Sequence, residues 1–270
     1  MQPLFETLAV TILAFLGLFI GLWIGQVRKR WWALGYAFPL ALVVLVAFGR
    51  NIDRLRFVLP FSLVLAGRYE YIVLGFVVPM VLGTLIPRVD GLRIKILLGI
   101  LLGIATIYGV VCPFFVPFLI RGRLEKLDTA MTLSGVCLQT TNYTCGPAAA
   151  VTALARFGIK AEEGEMAILA HTTPKTGTPD DLLAQAIEKR YGREGIRCTY
   201  RRFDSIEQLK GICPMIAVVK FAFFVDHYVT VLEVDDEKVL IGDPINGKEE
   251  LTYDQFRDRW RSTGIVVARQ

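Results

Sequence analysis

The sequence predicts two regions of different class: an α-helical membrane region of about four transmembrane helices over residues 1–127, then an α+β domain over residues 128–270. Three observations carry this. The apolar fraction of 54% and the mean hydropathy of +0.49 exceed what a soluble globular chain needs. Charge is unevenly split: residues 1–127 hold 13 Lys and Arg against 5 Asp and Glu, or +8, and residues 128–270 hold 17 against 20, or −3, for the net +5. In the second half a helical pattern comes first and a run of strands later, which fits α+β better than an alternating parallel sheet.

The first apolar run, Leu4 to Ile24, is long enough to cross a bilayer. The basic cluster Arg28-Lys29-Arg30 follows the run instead of preceding it, so it does not read as a cleaved signal peptide. Trp31 and Trp32 suit the interface. Further runs cover Trp32–Phe48, Tyr71–Ile86 and Ile96–Ile120, the last expected to bend at Pro113 and Pro117. Phe57–Ala66 is apolar but short and reads as interfacial or re-entrant. No polar constellation marks these runs as a channel or transporter, so the expected role is an anchor in the lipid bilayer of a bacterial cell membrane. The basic flank after the first span leans toward an outside N-terminus and an extracytoplasmic C-terminal domain; Arg50, Arg54, Arg56, Arg68, Arg121 and Arg123 on that same side oppose it.

The basic isoelectric point comes from loops flanking apolar runs and not from a basic folded face, which argues against a nucleic-acid partner. Five dispersed cysteines without a C-x-x-C pair, and only two histidines, predict neither a disulfide scaffold nor a metal site. No cofactor is expected.

In the second half, Pro147 suits a first helical turn, the run Ala148–Phe157 favours helix, and Gly158 suits its end. Short helices are expected at Glu162–Leu169 and after a capping Thr178, the latter running to Tyr191. Arg197–Arg202, Cys213–Phe221, His227–Val234, Lys238–Ile241 and Gly264–Ala268 read as strands, Ser205–Leu209 as a capped short helix and Leu251–Trp260 as a helix.

Cys145 stands at the start of the predicted Ala-rich helix, where the helix dipole favours a thiolate. Gln139, six residues upstream, supplies a side-chain amide able to donate to an oxyanion. His227 opens a predicted strand and Asp243 ends the next. The turn Asp235-Asp236-Glu237 between those strands would set both at one end of the sheet, with the carboxylate in reach of the imidazole. Thiol, imidazole, orienting carboxylate and oxyanion donor are the parts that cysteine proteolysis requires. Cys137, Cys198 and Cys213 read as buried small hydrophobes, His171 as a helix-end residue, and Asp180 and Asp181 as helix-start acids.

At these residues the chain resembles the bacteriocin-processing cysteine peptidases, the thirty-ninth cysteine peptidase family, of papain-like fold. The resemblance rests on Gln139, Cys145-Gly146, His227-Tyr228-Val229 and Asp243-Pro244 in order, with Gly177-Thr178 and Gly247 in support, and covers roughly residues 133–268. It implies Cys145 as nucleophile, His227 as base, Asp243 as its orienter and Gln139 as oxyanion donor, acting on peptide or protein substrates. Many members of that family precede peptide-exporting ABC transporters and cut leaders after a double glycine. Here Thr144 and Pro147 depart from the usual pattern around the cysteine, no Walker A sequence is present, and the peptidase follows the membrane spans, so double-glycine specificity is not assumed. A separate transporter partner stays open. So do two other readings: a silent peptide-binding module of such an exporter, and a papain-like acyltransferase or transglutaminase.

Overall fold

The computed structural model describes residues 2–27, 30–51, 69–222 and 225–270. Two compact units divide between Leu119 and Ile120, ahead of the composition break at 127/128. The predicted interfacial stretch Phe57–Ala66 lies outside the described residues.

The first unit is helical: α1 (Gln2–Gly25), α2 (Leu34–Asn51), α3 (Tyr69–Leu85), α4 (Leu92–Thr106) and α5 (Cys112–Leu119). Among the described residues, three apolar stretches, Phe5–Gly25, Tyr71–Arg88 and Leu92–Gly109, are long enough to cross a membrane, and Trp31–Val46 is a shorter apolar helix. The last predicted span begins earlier than expected, at Leu92, and carries a π-helical stretch at Ile107–Val111 ahead of the two prolines. Large side chains such as Phe15, Phe19, Trp23 and Leu97 are exposed. Close approach of α1 and α3 depends on glycine: a Cβ on Gly17 or Gly21 would lie 2.2 Å from the carbonyl oxygen of Phe76 or Met80. Glycines spaced four apart on one helix face allow such backbone proximity.

The second unit begins with the short helix α6 (Arg121–Leu124) and the hairpin β1 (Ala130–Met131) and β2 (Cys137–Leu138). Helices α7 (Cys145–Ala155), α8 (Glu163–Leu169) and α9 (Asp180–Tyr191) follow, close to the expected ranges. A six-stranded sheet then forms from β3 (Ile196–Arg202), β4 (Met215–Ala222), β5 (Val225–Val234), β6 (Lys238–Asp243), β7 (Gly247–Thr252) and β8 (Trp260–Arg269), with α10 (Tyr253–Arg259) between the last two. Its order is β3-β8-β4-β5-β6-β7, and every neighbouring pair is antiparallel. The predicted α+β class holds.

Strand alternation builds a core on each sheet face. Ile216, Val218 and Tyr228 join Ala149, Leu154, Leu183 and Ile187 of the helical layer. Val219, Val229, Val231 and Ile241 join Phe256 and Trp260 on the other face. Thr230 Oγ1 donates to the Ala149 carbonyl at 2.8 Å, fixing α7 on β5. Gly242 lets the β2 and α7 layer close on β6, since a Cβ there would stand 3.0 Å from Val136 and 3.2 Å from Thr152.

Three local expectations differ. Strand β7 occupies Gly247–Thr252, so the expected helix starts two residues later, behind a Thr252–Gln255 capping box. Thr178 does not cap α9: Pro179 holds that position, while the Thr178 hydroxyl pairs with Thr172 at 2.9 Å. Its service is to packing, because a Cβ on Gly146 would meet Thr178 Cβ at 2.9 Å. Ser205 stands at the start of its short helix without a side-chain cap bond to the backbone.

Candidate active site

Cys145 is the first residue of α7 and is half-buried. His227 is the third residue of β5, which begins two residues before the strand start that the sequence predicted. The register pairs Thr230 with Gly242; continued by one residue, it sets Asp243 opposite Val229. His227 and Asp243 are then diagonal neighbours on one sheet face, a separation that an imidazole spans. The turn between these strands is closed by Asp235, whose Oδ1 accepts from the N–H groups of Glu237 at 2.8 Å and Lys238 at 2.6 Å.

His227 Nε2 lies 2.8 Å from Asp243 Oδ1, and both side chains are buried. Cys145 lies close enough to act on the same imidazole. With Nε2 committed to Asp243, Nδ1 is the ring nitrogen left for the sulfur. Burial alone pushes the imidazolium's pKa down. The hydrogen bonds to Asp243 and Cys145 and the negative charge on both outweigh it, leaving the pKa raised to about 9. For Asp243 burial acts upward, but the bonds from His227 and from the Ile245 N–H, and the imidazolium charge, bring its pKa below the ordinary value.

Asp243 is itself fixed. Its Oδ1 accepts from the Ile245 N–H at 2.8 Å and its Oδ2 from Asn246 Nδ2 at 3.2 Å. The carboxylate thus starts a turn and orients the imidazole at once. The Phe221 ring stands 5.5 Å from the imidazole, shielding one side of the pair. Neither Asn246 nor Phe221 was identified from the sequence. The Asp-Pro-x-Asn turn carried a signal for the first, and nothing short of the strand register carried one for the second. A cavity of 190 Å³ borders the pair, lined among others by Lys220, Phe221, Asn246, Phe256 and Arg259.

Gln139 follows β2, and its backbone N–H donates to the Pro244 carbonyl at 2.9 Å, next to Asp243. Its side-chain oxygen is buried without a hydrogen-bond partner among the described residues. Burial pushes Cys137 and Cys198 up to about 12 and Cys213 to about 11, so they stay protonated and unreactive. His171 lies just past α8 with φ of 52°, away from this constellation in the sequence and assigned no part in it.

By family and by its α+β fold, the second unit is a cysteine-peptidase-like domain. The chain belongs to the Peptidase C39 family, whose family model matches residues 134–270. It is 32% identical over 132 residues to an uncharacterized protein of Methanothermobacter marburgensis, covering 49% of this chain and 87% of that protein. It is 27% identical over 135 residues to the probable functional amyloid protease FapD of Pseudomonas aeruginosa, covering 48% of this chain and 58% of FapD. Among solved structures, the peptidase domain of Streptococcus ComA, a bi-functional ABC transporter, is 21% identical with a TM-score of 0.44, over 49% of this chain and 96% of that domain.

Proposed function

We propose that this protein is a membrane-anchored cysteine peptidase that hydrolyses peptide or leader substrates through Cys145, His227 and Asp243, with Gln139 as oxyanion donor. The observation that carries it is the buried His227–Asp243 bond at 2.8 Å, with Cys145 close enough to act on the same imidazole. In this mechanism the Cys145 thiolate attacks the scissile carbonyl carbon and the carbonyl pair moves onto oxygen, where the Gln139 amide donates to it. His227 gives its proton to the leaving amine as the acyl-enzyme forms, then takes a proton from water for hydrolysis. Asp243 holds the ring so that one nitrogen faces the sulfur throughout. No step calls for a cofactor.

Two further parts of the proposal rest on other observations. The exposed phenylalanine, leucine and tryptophan side chains of α1 and α4 suit lipid, which supports anchoring. Family membership supports leader-type peptides as substrates and a separate exporter as a possible partner.

The test is alkylation of the full chain in detergent by iodoacetamide across pH, wild type against His227→Ala, followed by a peptide-library cleavage screen. Rapid Cys145 labelling below pH 7 that the variant slows, with cleavage lost in Cys145→Ala, is the expected result. Slow labelling indifferent to His227 would move the silent peptide-binding reading to the front.

A further inference from the structure

We propose that Glu163 is a positioning residue for the oxyanion donor, its buried carboxylate clamping Thr140 and so fixing the backbone from which the Gln139 amide is presented. The inference rests on the peptidase reading above and deepens it.

Glu163 is 0% exposed. One carboxylate oxygen accepts from the Thr140 backbone N–H and the other from the Thr140 hydroxyl, each at 3.0 Å. A carboxylate withdrawn from water is costly unless hydrogen bonds replace its hydration. Glu163 spends both oxygens on the single residue that follows Gln139. Its own N–H donates to Thr129 Oγ1 at 2.9 Å, and Thr129 Oγ1 donates in turn to Glu162 at 2.6 Å, so the start of α8 is itself pinned.

The segment is therefore held on both sides of Gln139. Upstream of the side chain the Gln139 N–H is bound by Pro244, and downstream Thr140 is bound by Glu163. The Gln139 side-chain oxygen makes no hydrogen bond among the described residues, so it does not fix the amide. The backbone clamp does. A donor aimed at a developing negative charge contributes only when its position is set beforehand.

The experiment compares two reagents at Cys145 in the full chain in detergent, with the background of Cys145→Ala subtracted. With p-nitrophenyl acetate the thiolate sulfur bonds to the carbonyl carbon and the carbonyl pair moves onto oxygen. Collapse of that oxyanion expels p-nitrophenolate and leaves a thioester. With iodoacetamide the same sulfur displaces iodide in one step and no oxyanion forms. Glu163→Ala is expected to lower the acylation rate about tenfold or more while alkylation keeps its wild-type rate and pH profile. Glu163→Gln is expected to restore acylation, because its amide oxygen accepts from the Thr140 N–H and its amide N–H donates to the Thr140 hydroxyl. Should Glu163→Ala fail to fold, Thr140→Val removes the hydroxyl contact alone and is expected to lower acylation relative to alkylation. Acylation unchanged in the folded variant, an equal fall in both rates, or a Gln variant as slow as Ala would overturn the inference alone. Absence of Cys145-dependent acylation in the wild type would overturn the peptidase reading and the inference together.

Discussion

The backbone N–H of Gln139 donates to the carbonyl of Pro244 at 2.9 Å, tying the residue six before Cys145 to the residue after Asp243. Two ends of the site that lie more than 100 residues apart in sequence share one main-chain bond. Substituting the Gln139 side chain leaves that bond intact. Gln139→Ala is therefore expected to lower kcat by about 10²–10³, the usual cost of removing one oxyanion donor, with little change in thermal midpoint. Steady-state kinetics on a cleaved peptide, alongside thermal unfolding, checks both halves.

The His227–Asp243 pair predicts a pH-dependent stability of definite sign. His227 has its pKa raised to about 9 from an ordinary 6.5, because the bonds and charges of Asp243 and Cys145 outweigh burial. Its contribution is fully present below pH 6.5 and is lost as pH rises through 9, an effect on the order of 3 kcal/mol. Asp243 is lowered, so its contribution is present above the ordinary carboxylate value and is lost as pH falls through the folded-state value. Thermal midpoints of wild type minus His227→Gln, measured from pH 6 to 10, should shrink steadily with pH. A flat difference would contradict the assignment.

Cysteine reactivity should be sharply uneven. Cys137, Cys198 and Cys213 are held protonated by burial, so at pH 7 iodoacetamide should modify Cys145 alone among the cysteines of residues 120–270. Peptide mapping by mass spectrometry reads this directly. Comparable labelling of Cys198 would show that the helical layer over β3 opens readily.

The α1–α3 contact should not tolerate side chains. Gly21→Val places a Cβ 2.2 Å from the Met80 carbonyl oxygen, and backbone on a neighbouring helix cannot yield as a flexible side chain would. A loss of about 1–3 kcal/mol is expected for overpacking of this kind, seen as a lower unfolding midpoint in detergent. An unchanged midpoint would mean that the two helices are not packed this closely.

Much of the second unit was legible in the sequence because its signals are local. Pro147 and Gly158 bracket α7, and Asp235 closes the turn that brings β5 and β6 together. The candidate site was legible as an ordered set of residue types; the structure pairs His227 with Asp243 at 2.8 Å and sets Cys145 near the same imidazole. What escaped depends on partners distant in sequence. Glu163 reads as an ordinary helix-start acid until Thr140 is seen beside it, 23 residues away. Strand β7, with burial alternating weakly along Gly247–Thr252, exists through its pairing with β6. Thr178 has the right residue type for a cap, but Thr172 and the close approach of Gly146 claim it instead. The glycines of α1 likewise acquire meaning only opposite Met80 and Phe76.

Strand β8 lies between β3 and β4, although Trp260–Arg269 is the last element described. During synthesis the sheet therefore stays in two pieces, β3 on one side and the β4–β7 meander on the other, until residue 269 has left the ribosome. The His227–Asp243 pair belongs wholly to the meander and can assemble on a nascent chain. The sheet beneath α7 waits for the ten-residue strand β8, so a nascent chain can carry the His227–Asp243 pair before β3 and the meander are joined.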